Sequence, residues 1–283
     1  MADSRRDHQP VGSAVGRKTR NVLIFAILVV VSIVMLFPFY YMVERSFQSS
    51  NQFSVHAGSF SLVSWKILFE TLPIFKQLLN STIVTLSAIL IILGVGTTAG
   101  YAFSKLKYPG STTLFYLVVG SMMVPMQSII IPEFVNLAGL RMVNHLYSAI
   151  LVYGALGIPF GTFLITSFYR SIPNDIMDAG VVDGATYYGI YRRIMLPMAT
   201  PALITVAVLQ FIQIWDDLLV GLLFLQTPTS RTITVGLATL QSSHITQIPV
   251  LMGGSLISAL PAAILYLIFQ RYIVAGLTLG MNK

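Results

Sequence analysis

Six long apolar segments, separated by short polar stretches, form the dominant pattern of this chain of 283 residues. A hydrocarbon core of about 30 Å needs roughly 20 apolar residues in a helix, and each segment reaches about that length. The pattern therefore predicts an all-α polytopic membrane protein with six transmembrane helices. The predicted spans are Val22–Val43, Leu78–Phe103, Thr112–Val135, Tyr147–Tyr169, Ala202–Leu225 and Val250–Ile273.

Two features inside these spans fit membrane helices. Prolines occur within or near them, at positions 38, 125, 132, 159 and 261, and membrane helices tolerate proline better than soluble helices do. Span two contains Gly96-Thr97-Thr98-Ala99-Gly100, a GxxxG pattern consistent with close packing between helices. The pattern is common in membrane proteins, so it adds little evidence by itself.

The distribution of Lys and Arg predicts the orientation, because cytoplasmic loops carry an excess of these residues. With both termini inside, 12 of the 17 Lys and Arg residues lie in cytoplasmic segments and five in external ones. We therefore expect an N-in, C-in membrane protein. Residues 1–20 are polar and lack periodicity, which predicts a flexible cytoplasmic tail before a transmembrane domain at 21–283.

Composition changes the picture only by excluding other classes. Charged residues make up 10% of the chain, against about 25% in soluble domains, and this low fraction argues against a soluble protein. The net charge is +7, but the basic residues lie between apolar runs and not in a patch with exposed aromatics, so no nucleic-acid partner is expected. The absence of cysteine excludes disulfides, thiolate metal sites and cysteine nucleophiles.

The longest predicted cytoplasmic loop, residues 170–200, has the pattern of two short helices. Asn174 is a candidate N-cap, with Asp175 and Asp178 in or near the first turn, where carboxylates suit the helix dipole. Gly180 and Gly184 are expected to interrupt the helix and to let another backbone approach closely. A helical stripe follows at Tyr187, Ile190, Tyr191 and Ile194. From spacing alone, an ordinary amphipathic loop folded on the bundle is an equal alternative.

This loop resembles the EAA loop of ABC-importer permeases, which has the form E-A-A-x-x-D-G-A followed by I-x-L-P. Asp stands here for the Glu of the family and Gly for its second Ala. The resemblance implies a coupling helix that contacts an ATPase, and it assigns this contact to Asp178, Ala179, Gly180, Asp183, Gly184, Ala185, Ile194, Leu196 and Pro197.

The resemblance extends along the chain. Ile214-Trp215-Asp216-Asp217 is similar to the W-N-[DE]-[FY]-L segment of carbohydrate-importer permeases, and residues 270–280 are similar to their C-terminal motif. The shorter six-span subunit of maltose- and glycerol-phosphate-type importers is the nearest group. The resemblance implies four kinds of partner: a second, different permease, two ATPase subunits that use ATP and Mg, an extracytoplasmic solute-binding protein and membrane lipid. It also implies a location in a bacterial cytoplasmic (inner) membrane, and no cofactor or metal bound by this chain.

Polar residues in span five are candidates for a solute path. Gln210, Gln213 and Asp217 fall at i, i+3 and i+7 on one helical face, where amides and a carboxylate offer hydrogen bonds to sugar hydroxyls. Trp215 is a candidate for packing on a sugar ring. Two alternatives stay open: hydrogen bonds that only hold the bundle together, and a position in water at the outer end of the span.

Missing motifs argue against an enzyme. The chain has no G-x-x-x-x-G-K-[ST] phosphate loop, no H-E-x-x-H and no G-x-S-x-G, and its four histidines are scattered. We therefore expect a transport subunit without its own ATPase site. A self-contained secondary transporter or channel is the alternative; it would be expected to show two related halves or a charged relay across several spans, and neither is evident.

Overall fold

A computed structural model describes residues 12–48, 60–242 and 248–279; for residues 12–19, 241–242 and 273–279 it describes only the backbone. All regular elements in this part of the chain are helical. They are α1 Gly12–Ser46, α2 Val63–Thr71, α3 Ile74–Lys105, α4 Ser111–Gly120, α5 Met126–Gly139, α6 Leu146–Ser171, α7 Asp175–Val182, α8 Tyr187–Ile190, α9 Leu196–Met198, α10 Thr200–Asp216, α11 Leu219–Phe224, α12 Ile233–Ser242 and α13 Ile248–Leu279.

Four single helices in the described residues are long and apolar enough to cross a membrane, and the number rises to six if each of two bent pairs counts as one span. Predicted spans one, two, four and six lie within α1, α3, α6 and α13. The helices α1, α6 and α13 continue through Pro38, Pro159 and Pro261. The all-α membrane fold predicted from the sequence is therefore confirmed.

Predicted span three is not one continuous helix. Its two halves, Ser111–Met123 and Met126–Gly139, are bent by 95°. Pro125 has no N–H and disfavours helical backbone at the residue before it, and Val124 is accordingly extended at φ −79° and ψ 116°. The stretch has enough apolar residues for one span, but the prediction of a continuous helix overlooked Pro125 as a helix breaker.

Predicted span five is also divided. Helix α10 ends at Asp216, Asp217 is extended at ψ 132°, and α11 begins at Leu219. The carboxylate of Asp217 accepts a hydrogen bond from the backbone N–H of Val220 at 2.9 Å, which stabilises the start of a new helix. Span five is therefore two helices joined at an acidic cap.

The prediction of a flexible tail at residues 1–20 is also corrected by the structure. Helix α1 begins at Gly12, so residues 12–20 extend the first span as helix and are not a separate flexible segment. No proline lies between Gly12 and the apolar run, and helix formation propagates easily once a helix has begun. Residues 1–11 lie outside the described residues.

Helices α3 and α6 form the centre of the bundle. A Cβ built on Gly96 would lie 3.2 Å from the backbone carbon of Gly161, and one built on Gly100 would lie 3.2 Å from the nitrogen of Thr166. Backbones this close require residues without side chains at the contact. The close packing that the GxxxG pattern predicts is confirmed between these two helices.

Candidate functional site

Residues 172–199, here called the α7–α9 segment, form a compact helical unit between α6 and α10. Helix α7 begins at Asp175, with Asp175 and Asp178 in its first turn as predicted. Its end is a Schellman motif: the N–H of Ala185 bonds to the carbonyl of Gly180, and the N–H of Gly184 to that of Val181, both at 3.0 Å.

The two glycines of this segment have different roles, and one prediction about them is wrong. Gly184 has φ +77° and ends α7, as expected for a residue without a Cβ. Gly180 does not interrupt the helix: it lies buried inside α7, where a Cβ would be 3.0 Å from Ile190 Cγ1. The missing side chain at position 180 therefore allows α8 to pack against α7.

The second half of the segment is anchored by buried apolar side chains. Thr186 caps α8, because its Oγ1 accepts a hydrogen bond from the N–H of Gly189 at 3.1 Å. Ile190 and Met195 are fully buried, and a π-helical turn at Tyr191–Met195 joins α8 to α9. The apolar stripe of the sequence thus faces the bundle at Ile190, while its first member, Tyr187, is exposed.

The outer surface of the segment is partly apolar and accessible. Val182 is 86% exposed, and Val181, Tyr187 and Tyr188 lie exposed beside it. A concavity of about 660 Å³ adjoins this surface, lined by Gly184, Ala185, Thr186, Tyr188, Gly189, Arg192 and Arg193. Among the described residues, Arg192 and Arg193 form no ion pair, and the carboxylates near them form none either.

The structure places the predicted coupling residues on both sides of this unit. Gly180 is buried, and Ile194 and Leu196 are half-buried against the bundle. The others are accessible on the outer surface: Asp178, Ala179, Asp183, Gly184, Ala185 and Pro197. The motif therefore supplies both the contact that packs α8 on α7 and part of the exposed face.

One predicted cap is replaced by a longer-range contact. Asn174 occupies the N-cap position of α7 but forms no side-chain cap. Its Oδ1 instead accepts a hydrogen bond from Lys105 Nζ of α3 at 3.0 Å, and the same amine donates to the carbonyl of Ile172. The local sequence shows a capping residue, whereas the fold brings a distant cation that competes for its oxygen.

A cavity of about 490 Å³ lies between the break at Val124–Pro125 and the break at Asp217; we call it the break cavity. Its wall combines the α4–α5 break with the middle of α6 and the end of α10. The lining residues are Ser121, Met122, Val124, Pro125, Met126, Ile129, Tyr153, Ala155, Leu156, Gly157, Pro159, Phe160, Gln210, Gln213, Ile214 and Asp217. Non-helical backbone at membrane depth is tolerated where it lines a cavity.

Three of the four predicted path residues, Gln210, Gln213 and Asp217, meet in this cavity. Gln210 is only 3% exposed, yet neither its amide nor that of Gln213 hydrogen-bonds to another described residue. Asp217 Oδ1 accepts hydrogen bonds from Tyr153 Oη at 2.8 Å and from the N–H of Val220. The cavity thus contains two amides that have kept their bonding capacity and one fixed carboxylate.

Trp215 is placed elsewhere. It is buried, its Nε1 donates to the carbonyl of Ser258 in α13 at 2.9 Å, and its ring stacks on Phe211 at 5.1 Å. Among the described residues it is absent from the cavity wall. The ring therefore joins α10 to α13 and lies outside the wall of this cavity.

Sequence reasoning missed several residues of these sites. Tyr153, which bonds to Asp217, was not singled out within span four, and Thr97, whose Oγ1 lies 2.8 Å from Tyr191 Oη, was noted only as part of the GxxxG pattern. No local signal marks either of them, because their partners are distant in sequence. Thr186 was detectable: a Thr directly before a helical stripe is an ordinary N-cap signal.

The chain is similar to several known proteins. Residues 10–278 match the family model described as binding-protein-dependent transport system inner membrane component. The trehalose/maltose transport system permease protein MalG of Thermococcus litoralis is 31% identical over 275 residues, covering 93% of this chain and 97% of that protein. The diacetylchitobiose uptake system permease protein NgcG of Streptomyces coelicolor is 28% identical over 263 residues, covering 90% and 86%.

Solved structures show the same fold. A chain in the crystal structure of a bacterial ABC transporter involved in the import of alginate, an acidic polysaccharide, superposes with a TM-score of 0.76 at 17% identity, covering 96% of this chain and 99% of that one. The match of a family model over almost the whole sequence identifies the family of this chain. The chain belongs to the binding-protein-dependent transport system inner membrane components, the permease subunits of ABC importers.

Proposed function

We propose that this permease imports a sugar or a sugar-like solute, and that it forms half of a translocation path with a second, different permease subunit. An extracytoplasmic binding protein delivers the solute, and two ATPase subunits drive alternating access. The names of two relatives, a trehalose/maltose and a diacetylchitobiose permease, support the solute class. A second solved structure, a bacterial alginate ABC transporter in complex with an alginate pentasaccharide-bound periplasmic protein, contains a chain similar to this one, with a TM-score of 0.66 at 15% identity, and supports the binding-protein partner.

The coupling role is supported by one observation: the α7–α9 segment has a rigidly held backbone and an exposed outer face. Its backbone is fixed by a Schellman motif and by the Thr186 cap, while Val182 and Tyr188 remain exposed. Exposed apolar groups on a rigid element are typical of an interface. Arg192 and Arg193, which line the concavity and form no ion pair with a described residue, add sites for partner carboxylates.

The energy source in this proposal lies outside the chain. Because the sequence has no phosphate loop, ATP and Mg bind to the partner ATPases, and this chain holds neither. When nucleotide closes the ATPase dimer, the α7–α9 segment moves with it, and the attached helices α6 and α10 move as rigid bodies. The break cavity then changes its access from one side of the membrane to the other.

The break cavity suits an uncharged polar solute. Its volume falls within the usual range for small-molecule sites, and its polar lining residues, among them Gln213, Tyr153 and Asp217, alternate with apolar ones such as Phe160. Amides that lack a protein partner can exchange hydrogen bonds with passing hydroxyls. We assign the solute contacts to Gln210, Gln213 and Asp217, and we assign Trp215 to the contact between α10 and α13.

The membrane orientation follows from the same proposal. We place the α7–α9 segment, with Arg192 and Arg193, on the cytoplasmic side and both termini inside, because Lys and Arg concentrate there. The 226–232 turn between α11 and α12 then faces outward. Asn144 stabilises this end: its Oδ1 accepts hydrogen bonds from the N–H groups of Gln226 and Thr227.

A matched pair of variants tests the coupling role. Val182→Asp places a charge on the exposed face, whereas Val182→Thr keeps the branched shape and serves as the control. We expect Val182→Asp to lose the ATPase subunits on purification from membranes, because burying an unpaired charge in an interface is costly, and Val182→Thr to retain them. Equal retention of the ATPases by both variants would remove the α7–α9 segment from the interface.

A further inference from the structure

Helix α3 binds the α7–α9 segment through three side chains on one face. Thr97, Tyr101 and Lys105 are spaced four residues apart, so they lie above one another along the helix. Each contacts a different part of the segment. Because two spans, α4–α5 and α6, lie between α3 and the segment in the sequence, these are contacts of the folded bundle and not consequences of chain connection.

The three contacts are hydrogen bonds. Thr97 Oγ1 lies 2.8 Å from Tyr191 Oη, and Tyr101 Oη donates to the carbonyl of Tyr187 at 3.1 Å. Lys105 Nζ donates to Asn174 Oδ1 and to the carbonyl of Ile172. The segment is thus held to α3 at its start and along α8 and the following turn.

The other end of α3 is bonded to the opposite end of the bundle. Asn80 Nδ2 donates to the carbonyls of Thr229 and Arg231, both at 3.0 Å. Ser81 Oγ accepts a hydrogen bond from the N–H of Ile233 at 2.9 Å. From Asn80 to Lys105 the helix covers roughly 38 Å at 1.5 Å per residue. One helix therefore joins the α7–α9 segment to the 226–232 turn.

Among the three helices attached to the segment, α3 has the most regular course. Helix α6 contains Pro159, and the span that begins with α10 is broken after Asp216. Helix α3 runs for 32 residues without a proline, and its central glycines fit closely against α6. A continuous helix in a close-packed surrounding transmits a displacement with little bending.

We propose that Thr97, Tyr101 and Lys105 are positioning residues that transmit movement of the α7–α9 segment through α3 to the 226–232 turn. They contact neither solute nor nucleotide, and their effect is to make the two ends of the bundle move together. This inference rests on the proposed function, since it needs the segment to be the element that the ATPases move. It adds a non-covalent connection to the covalent ones through α6 and α10.

Neighbouring threonines provide a matched test. Thr97→Val removes the hydroxyl that meets Tyr191, whereas Thr98→Val removes a hydroxyl that bonds only to the carbonyls of Gly94 and Val95 within its own helix. Both changes keep the shape of the side chain and are made on one helix. At the third contact, Lys105→Met removes the donors and Lys105→Arg restores them.

The variants are compared in the complete importer, reconstituted in lipid vesicles with its ATPases and binding protein. The chain has no cysteine, so Pro228→Cys, at an exposed position of the 226–232 turn, gives this subunit a single thiol. Three quantities are measured: ATPase subunits retained, solute transported per ATP hydrolysed, and the change in thiol labelling at position 228 on ATP addition.

We expect Thr97→Val combined with Lys105→Met to keep the ATPases and to continue hydrolysing ATP. Transport per ATP should fall about fivefold or more, the change that the loss of one ordinary hydrogen bond makes in an equilibrium constant. The ATP-dependent change in labelling at position 228 should fall with it. Thr98→Val should match the parent, and Lys105→Arg should recover most of the transport per ATP lost in Lys105→Met.

The outcomes separate this inference from the proposed function. Unchanged transport per ATP and unchanged labelling in the combined variant would overturn the role of α3 while leaving ATPase docking intact. An equal loss in Thr98→Val would also overturn it, because the effect would then reflect general damage to the helix. If the parent protein retained no ATPase, the proposed function itself would fail. Retention by the parent protein is therefore measured before any variant is compared.

Discussion

The polar groups of the α7–α9 segment and those of the break cavity differ in how they are hydrogen-bonded. In the segment, the ends of the short helices are closed by backbone bonds and the Thr186 cap, and side chains of α3 hold it in place. In the cavity, the amides of Gln210 and Gln213 hydrogen-bond to no described residue. A part that transmits force needs fixed bonds, whereas a part that passes a solute needs bonds that can be exchanged.

The cavity contains one exception to this comparison. Asp217 is fixed by Tyr153 and by the N–H of Val220, so one of its oxygens serves the fold. Its polar neighbours on α10 keep their bonding capacity for the solute. The comparison therefore predicts that changes to fixed groups lower stability or coupling, and that changes to free groups alter solute handling alone.

The largest effect is expected at Gly157, where α6 meets Gln210 and Ile92. A Cβ at this position would overlap Ile92 Cδ1 and lie 2.8 Å from Gln210 Oε1. We expect Gly157→Ala to lower the free energy of unfolding by about 1–3 kcal/mol, because overpacking a close contact forces side chains out of place. Gly94→Ala is the control, since nothing lies within 4 Å of the new methyl group. The melting temperatures of both variants in detergent measure the difference.

A smaller effect is expected at the end of α7. Gly184 has φ +77° in open space, so the cost of a side chain there comes from the backbone. We expect Gly184→Val to reduce transport about tenfold or more, because a left-handed conformation costs an L-residue roughly 1–2 kcal/mol. Gly184→Asn should retain most of the transport, since Asn tolerates this conformation. Equal transport by the two variants in vesicles would show that the Schellman motif is not needed for coupling.

Next in size is the bond between Tyr153 and Asp217. Tyr153→Phe removes one donor from the carboxylate, and we expect a loss of about 1.5 kcal/mol in the free energy of unfolding, as for a hydrogen bond to a charged group. Tyr147→Phe, at an exposed position near the start of α6, is the control. An unfolding titration that separates neither variant from the parent would show that Asp217 is not fixed by this bond.

The smallest effect should be at a free amide. Gln213→Leu removes the bonding capacity of an exposed side chain in the break cavity. We expect unchanged stability and an increase of about fivefold in the solute concentration needed for half-maximal transport, the value of one net hydrogen bond. A fall in stability without a change in transport would reverse the distinction between fixed and free groups.

The sequence predicted the elements that depend on local information. The apolar lengths located α1, α3, α6 and α13, and the acidic first turn and Gly184 located both ends of α7. The breaks at Val124–Pro125 and Asp217 were missed because hydropathy measures apolar content and is insensitive to backbone direction. The contact between Gly180 and Ile190 was missed for a related reason: a glycine in a helix pattern looks the same whether it interrupts the helix or accommodates a neighbour.

Long-range contacts were beyond the reach of sequence patterns. Asn174 has the residue type and position of a cap, yet Lys105 takes its oxygen. Trp215 was expected at the solute path, yet the carbonyl of Ser258 turns it toward α13. In both cases the competing group lies in a distant helix, and its arrival depends on how the bundle packs.

Position 182 offers the most direct test of the central claim, that an external ATPase moves this subunit through the α7–α9 segment. Val182→Cys would supply the subunit's single thiol, on its most exposed apolar side chain in this segment. With a short thiol-to-amine cross-linker in the assembled importer, we expect a covalent product with an ATPase subunit from position 182, and none from a cysteine at position 228. A thiol at 182 that reacts with the reagent yet never captures the ATPase would contradict the claim.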